Sequence, residues 1–395
     1  MKKASPYKPG AGTKPPYLAG RQKLLEDAEK SLQSAADGYF QKSVIYYGLR
    51  GVGKTVLLNA IEDMADDLDI LYEHIEIAEK KSFLKQISIA SNRLIHRLSI
   101  AEAAKDVWKK AWGYLQAFNV TYNPEDQTFT AGISEPSAYI TTRVLSEDMT
   151  ELFLTMGKTA EKAGKVICFF IDEIQYMREE EMEALVNALH RVNQKGLPII
   201  LYGAGLPKVL SILGDVKSYA ERLFKYEPVD RLADADACEA VVKPAHSLGI
   251  SYAEDAVQEI LKWSHGYPYF LQEICNIVWK NTEEKECISL EDVEKVIPTF
   301  LKHLDESFFR MRYERCTKKE HDFLFAMVRC GELPCTISNV AMIMKKRVNS
   351  ISPLRAQLIS KGIIYSTGRG EIDFTVPLFD EYLKRINPEL KFDGE

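Results

Sequence analysis

The sequence predicts an α/β chain: a parallel sheet wrapped in helices, then an all-helical domain, then a winged helix-turn-helix. Three observations carry this. The loop Gly48-Leu49-Arg50-Gly51-Val52-Gly53-Lys54-Thr55 stands between a β-branched, aromatic run and a helical pattern. Strand-like and helix-like runs alternate from residue 43 to about 230, the pattern of a parallel sheet covered on both faces. Beyond that the runs are helical, until three short helices and two strands close the chain.

The elements follow in order. Residues 1–19 form a Pro/Gly-rich arm, with four prolines and two glycines between Ser5 and Leu18, and this predicts an extended arm or linker. Helical spacing starts near Arg21 and ends before Asp37-Gly38. Ser43–Tyr47 reads as a buried strand; after the loop, Leu57, Leu58, Ile61 and Met64 mark a helix. Asp69–Ile77 is a second strand. Lys80–Phe118 is helix-like, and Val120–Pro136 is a turn-rich insert or hairpin. Ser146–Ala163 is helical. Val166–Ile171 is a continuous apolar run, as in strands buried on both faces. A helix over Glu179–Gln194 and a short strand over Pro198–Tyr202 complete the core, residues 20–230.

The helical domain, 231–312, contains helices over Ala233–Ala245, Tyr252–Trp263, Tyr269–Thr282 and Leu290–Phe308. The winged helix, 313–390, has helices over Lys318–Val328, Asn339–Lys346 and Ser352–Lys361. Strands over Ile363–Ser366 and Ile372–Val376 flank Thr367-Gly-Arg-Gly370. Trp108, Trp112, Tyr267, Tyr269 and Phe270 read as core rather than as a base-stacking platform.

Net charge is −6 over 395 residues, which excludes a strongly basic nucleic-acid binder, although residues 311–395 alone carry +3. No apolar run approaches a membrane span. The basic N-terminus lacks the apolar stretch of a secretory signal, so a cytoplasmic location is expected. Seven cysteines, without paired spacing, read as reduced thiols, and Cys330 and Cys335 lack the second pair or histidines that zinc needs.

The chemistry lies in the loop and in Asp172-Glu173. Glycines let backbone N–H groups turn inward around phosphates, and the helix N-terminus adds partial positive charge. Lys54 can reach the β- and γ-phosphates of ATP, and the Thr55 hydroxyl can bind Mg²⁺; Val56 continues the loop into the helix. Arg50 reads as a solvent-facing side chain. Asp172, at the end of a buried strand, can hold Mg²⁺ through its waters, and Glu173 can polarise the attacking water. The alternative for Glu173 is a cap or ion pair at the next helix.

The loop (Walker A), Ile171-Asp-Glu-Ile-Gln175 (Walker B), and the order of helical domain and winged helix resemble AAA+ P-loop ATPases. The resemblance is to the origin-recognition-complex-like and archaeal-type members, which border the STAND class, and it covers about residues 17–385. It implies a P-loop NTPase core, a helical lid and ATP-dependent self-association. Leu18-Ala-Gly-Arg21 resembles the family's box near the adenine, and Gly266-Tyr-Pro268 resembles the lid's G-x-P turn, so Arg21 and Pro268 are candidate nucleotide contacts. Ser218–Phe224 resembles the arginine-bearing segment before the lid. Arg222 is therefore either a catalytic arginine acting on a neighbouring subunit or a surface ion-pair partner of Glu221 or Asp230.

The sequence also departs from the family. The sensor position after strand four holds Gly203, Ala204 and Gly205, leaving Gln175 as a candidate γ-phosphate contact. No arginine accompanies the G-x-P turn. Thr55 and Asp172 are 117 residues apart, which an insert around 80–145 accounts for.

The winged helix has two readings. Lys345, Lys346, Arg347, Arg355, Lys361 and Arg369 make a candidate duplex-DNA face; Asp373, Asp380 and Glu381 leave a protein-docking role open. The expected function is an ATP-binding and ATP-hydrolysing switch acting on DNA or a DNA-bound partner. The alternative is a STAND-like signalling or scaffold ATPase.

Overall fold

Short runs of β-branched and aromatic residues build the central sheet of the computed structural model, which describes residues 4–10, 12–39, 41–78, 82–98, 120–123, 128–131, 142–216, 220–282 and 285–388. Strands β1 (Ser43–Tyr47) and β2 (Leu71–Glu76) precede an antiparallel hairpin, β3 (Val120–Asn123) and β4 (Thr128–Ala131). Then follow β5 (Ile167–Asp172), β6 (Ile199–Gly205) and β7 (Phe224–Pro228). The sheet order is β2-β5-β6-β1-β7, and every pairing is parallel. The helices of this part are α1 (Gln22–Ala36), α2 (Lys54–Asp67), α3 (Phe83–Leu98), α4 (Thr142–Lys162), α5 (Glu179–Gln194), α6 (Lys208–Val216) and α7 (Ala220–Leu223).

Every residue of β5 and β6 is buried. Since side chains alternate between faces, both faces must be covered. One face carries an aromatic row across four neighbouring strands. Tyr72 meets Phe170 edge-on at 5.8 Å, Phe170 stacks on Tyr202 at 5.6 Å, and Tyr202 stacks on Tyr46 at 6.3 Å. The Tyr202 hydroxyl donates to the Ala28 carbonyl of α1. On the other face Phe169 stacks on Phe153 of α4 at 5.3 Å, among Met149, Leu152, Met182, Leu185 and Leu189 of α4 and α5.

The edge strand β7 is absent from the sequence reading. Its Phe-Lys-Tyr-Glu-Pro run has no continuous apolar stretch, because an edge strand with exposed Lys225 needs none. Trp108, Trp112 and most of the predicted Lys80–Phe118 helix lie outside the described residues.

The chain divides into two compact units. One is the sheet and its helices, Arg21–Gly48 with Gly53–Val229. The other groups the arm Met1–Gly20, the loop tip Leu49–Val52 and all of Asp230–Glu395. In this second unit the arm is not a free linker. Tyr7 is buried, its hydroxyl donates to the Val241 carbonyl, and its ring meets Trp279 edge-on at 6.1 Å. The Lys8 amide donates to Gln272 Oε1 at 2.9 Å.

The helical part contains α8 (Asp234–His246), β8 (Ser251–Tyr252), α9 (Glu254–Ser264), α10 (Pro268–Asn281), β9 (Cys287–Ile288), α11 (Leu290–Glu294), α12 (Ile297–His303), a π-helical turn (Leu304–Phe309) and α13 (Arg310–Glu314). The predicted single helix over Leu290–Phe308 is thus broken, and Pro298, which cannot donate to a preceding turn, starts α12 afresh. The β8–β9 pair, two residues per strand, is too short to show in a periodicity.

The last segment is α14 (Lys318–Val328), β10 (Cys335–Thr336), α15 (Ile337–Ile343), α16 (Val348–Ser360), β11 (Ile364–Gly368), β12 (Glu371–Phe374) and α17 (Phe379–Ile386). Strand order β10-β12-β11 gives the winged-helix topology. Phe309 of the π turn packs on Phe379 at 5.7 Å and Tyr382 at 5.4 Å, and Arg385 grips Asp305 through two hydrogen bonds. Lid and winged helix therefore share one aromatic core. Among the described residues no helix is long and apolar enough to cross a membrane.

Candidate functional site

The phosphate loop leaves β1 at Gly48, whose amide donates to the Gly205 carbonyl of β6 at 3.1 Å. Gly51 (φ +84°) and Gly53 (φ +93°) take left-handed backbone that disfavours side chains. Gly53 caps α2, which starts at Lys54. Lys54 is buried and its Nζ donates to the Gly48 carbonyl at 2.9 Å, folding the ammonium over the loop. Val52 is buried; Leu49, Val56 and Arg50 are half-buried, so Arg50 is not the fully solvent-facing side chain expected.

Asp172 ends β5 and is 3% exposed. Its Oδ2 accepts from the Thr55 hydroxyl at 2.5 Å, and its Oδ1 accepts from the Glu173 amide at 2.7 Å. Burial lifts the Asp172 carboxyl above its ordinary range and the Glu173 charge adds to this, while the Thr55 hydrogen bond, the Glu173 amide and Lys54 oppose it. Thr55 and Asp172 bring a hydroxyl and a carboxylate together across 117 residues of sequence. Two hard oxygens so placed suit Mg²⁺, which keeps most of its remaining ligands as water and phosphate. Among the described residues no group of three or more His, Cys, Asp or Glu could hold a metal by itself.

Glu173 has a left-handed backbone (φ +54°), and the Tyr176 amide donates back to its carbonyl at 3.0 Å. This turn sets Glu173 and Gln175 side by side, and Gln175 Nε2 donates to Glu173 Oε2. Gln175 Oε1 accepts from the Leu206 amide at 2.9 Å. The amide expected to meet a phosphate is thus spanned between the end of β6 and Glu173.

The remaining predicted residues lie on other elements. Arg21 sits buried at the N-cap of α1. Pro268 opens α10 in the other unit, after Gly266, whose Cβ would lie 2.5 Å from the Leu232 carbonyl oxygen; that backbone contact demands glycine. Arg222, on α7, is exposed.

Sequence reasoning missed Arg312. A Cβ on Gly51 would lie 3.7 Å from Tyr269 Cβ, Tyr269 stacks on Phe308 at 5.1 Å, and the Arg312 guanidinium lies 3.8 Å from the Phe308 ring centre. Burial pushes Arg312 down to about 10, with Arg50 and Arg315 adding. No signal could have found it, since the π turn that sets its register has no sequence pattern.

On the winged helix Lys345, Lys346, Arg347 and Arg369 are exposed. Lys361 is not part of that face: its Nζ donates to buried Glu320 at 2.7 Å and to the Arg315 carbonyl at 3.0 Å. Arg355 is tied to Ser366 of the wing at 3.1 Å. The exposed face of α16 instead offers Asn349, Ser350, Ser352 and Gln357, which charge counting could not flag.

Comparison with known proteins agrees with this geometry. Residues 17–202 match the family described as AAA ATPase domain. Residues 306–383 match a domain of unknown function, DUF8462. No curated protein gives a match. Among solved structures the chain is similar to the Walker-type ATPase PABY2304 of Pyrococcus abyssi, with 15% identity, a TM-score of 0.56, and coverage of 93% of this chain and 96% of that one. It is also similar to the Aeropyrum pernix ORC1 protein in complex with DNA, at 15% identity, a TM-score of 0.47 and 94% coverage of each chain. The Thermotoga maritima RuvB Holliday junction branch migration motor follows, at 15% identity, a TM-score of 0.44, and 95% and 96% coverage. The first of these speaks for the fold alone, and the other two are too distant to carry an argument. The family match takes in both the loop and the Asp172-Glu173 pair, and with the parallel sheet around them it marks residues 17–202 as a P-loop AAA ATPase domain.

Proposed function

We propose that this protein binds ATP with Mg²⁺, hydrolyses it, and uses the change to act on DNA through its winged helix. The observation that carries the first part is the Thr55–Asp172 hydrogen bond beside a Lys54 already folded over the loop. Lys54 and the loop amides would bind the β- and γ-phosphates, and Thr55 and Asp172 would hold Mg²⁺. Magnesium, when bound, offsets the charge that develops on the phosphate oxygens. Glu173 would take a proton from water as that water's oxygen attacks the γ-phosphorus and ADP leaves. Lys54→Ala should abolish tight ATP–Mg²⁺ binding in calorimetry, and unchanged affinity would overturn the site. Glu173→Gln should bind ATP while phosphate release falls by about 10²-fold or more, the scale of general-base loss.

Support for DNA is the exposed Lys345-Lys346-Arg347 run at the start of α16 and Arg369 on the wing. Duplex binding should weaken steeply with salt; binding indifferent to salt would argue against it. A second reading is favoured by Met342, 74% exposed, and Val348, which flank the basic run. An apolar pair there suits a protein partner, as in a signalling or scaffold ATPase. Nucleotide-dependent capture of a protein without duplex binding would select it.

A further inference from the structure

We propose that Gln175 is the positioning residue of the candidate base, and that Gly205 of β6 is glycine to admit it; this rests on Glu173 serving as that base. β6 runs beside the phosphate loop, to which the Gly205 carbonyl is hydrogen-bonded. Its last residues bring no polar side chain to the site. Gly203 and Gly205 are ordinary extended residues, without the positive φ that would call for glycine. They are glycine for space. A Cβ on Gly203 would lie 2.7 Å from Ile45 Cδ1. A Cβ on Gly205 would lie 2.7 Å from Gln175 Oε1 and 2.9 Å from Ile174 Cγ2. The gap that a sensor side chain would fill is taken by Gln175, entering from the turn after β5.

The orientation of that amide is forced. The Leu206 N–H can only donate, so it faces Oε1; the Glu173 carboxylate can only accept, so it faces Nε2. Gln175 is 8% exposed, and it ties the base to the end of β6. One carboxylate oxygen of Glu173 is held, and the other is left to accept the proton of the attacking water. A general base that can rotate away spends less time in reach of its water, so the tether should act on the chemical step and not on nucleotide binding.

The discriminating variant is Gln175→Glu. It keeps the shape and an oxygen for Leu206, but it replaces the donor facing Glu173 with a like charge. If Gln175 only packs, the newly buried charge lowers the melting temperature but leaves kcat unchanged. The expected result in phosphate release is a kcat about 10- to 100-fold lower for Gln175→Glu and Gln175→Ala, with KM and calorimetric ATP affinity within about twofold of wild type. Gly205→Ala, which pushes the amide aside, should lower kcat in the same direction, and it should cost less in the Gln175→Ala background, where only the contact with Ile174 remains. Melting curves check that each variant folds. Wild-type kcat in Gln175→Glu, or a loss confined to KM, would overturn the proposal. Glu173→Gln in the same assay separates the two ideas: unchanged turnover there removes the base itself, whereas a collapse there with normal Gln175→Glu removes only the tether. The contact has a readout independent of turnover. The Gln175 side-chain amide protons should exchange slowly in wild type and fast in Glu173→Ala by NMR, and equal exchange in both would overturn it as well.

Discussion

Two lysines of the winged helix have opposite fates. Lys346 stands in water, while Lys361 closes an ion pair with Glu320, whose side chain is only 1% exposed and also accepts from the Thr317 amide at 2.6 Å. Lys361→Ala would strand a buried carboxylate. It should cost about 2–4 kcal/mol in urea unfolding, somewhat under the fully buried case because part of Lys361 stays wet. Its effect on duplex affinity should be small, whereas Lys346→Ala with Arg347→Ala should weaken binding and flatten its salt dependence. A Lys361 variant with unchanged stability and lost DNA binding would reverse the two roles. From sequence the two lysines were indistinguishable, because charge and helical spacing are local and the partner Glu320 comes from another helix. By contrast Lys54, Thr55 and Asp172 were legible: a phosphate loop fixes its own geometry, and the buried β5 strand aims its last carboxylate at it.

At the scale of elements, a hydrogen bond fastens β2 to α2: His74 Nδ1 pairs with Glu62. That bond holds the His74 imidazole above its ordinary range; burial opposes, and the charges of Glu62, Asp172 and Glu76 add. A raised folded-state value means the pair stabilises the fold fully below the unfolded value of about 6.5 and loses that contribution as pH rises through the folded one. The stability gap between wild type and His74→Gln should therefore shrink from pH 5.5 toward pH 8.5; a gap that is constant across this range would show that His74 does not titrate with folding. Elements with one dominant period were readable, and α5 and α14 fall where spacing put them. What escaped were β7, β8, β9 and β10, short or edge strands that exist because a neighbour offers a free backbone edge. No residue pattern of their own marks them.

For the whole molecule, the exposed Arg222 is the feature that looks outward from the sheet-bearing unit. We expect ATP to promote self-association, and Arg222→Ala to slow turnover while leaving ATP affinity nearly intact. Mixing it with Glu173→Gln should restore part of the rate, since some interfaces would join a sound base to a sound arginine. A chain that stays monomeric with a non-hydrolysable analogue, with and without duplex DNA, and whose Arg222→Ala variant turns over normally, would leave the arginine without a catalytic part. The path of the chain carries one more lesson. Leu49–Val52 pack with the unit that begins at Asp230, although the residues on either side of them belong to the sheet. Trimming the protein at Val229 to obtain a tidy fragment would strip four residues of the phosphate loop of their neighbours. The fragment's nucleotide affinity would then describe an injured loop, so dissection by truncation is the wrong tool for this protein and point substitution the right one.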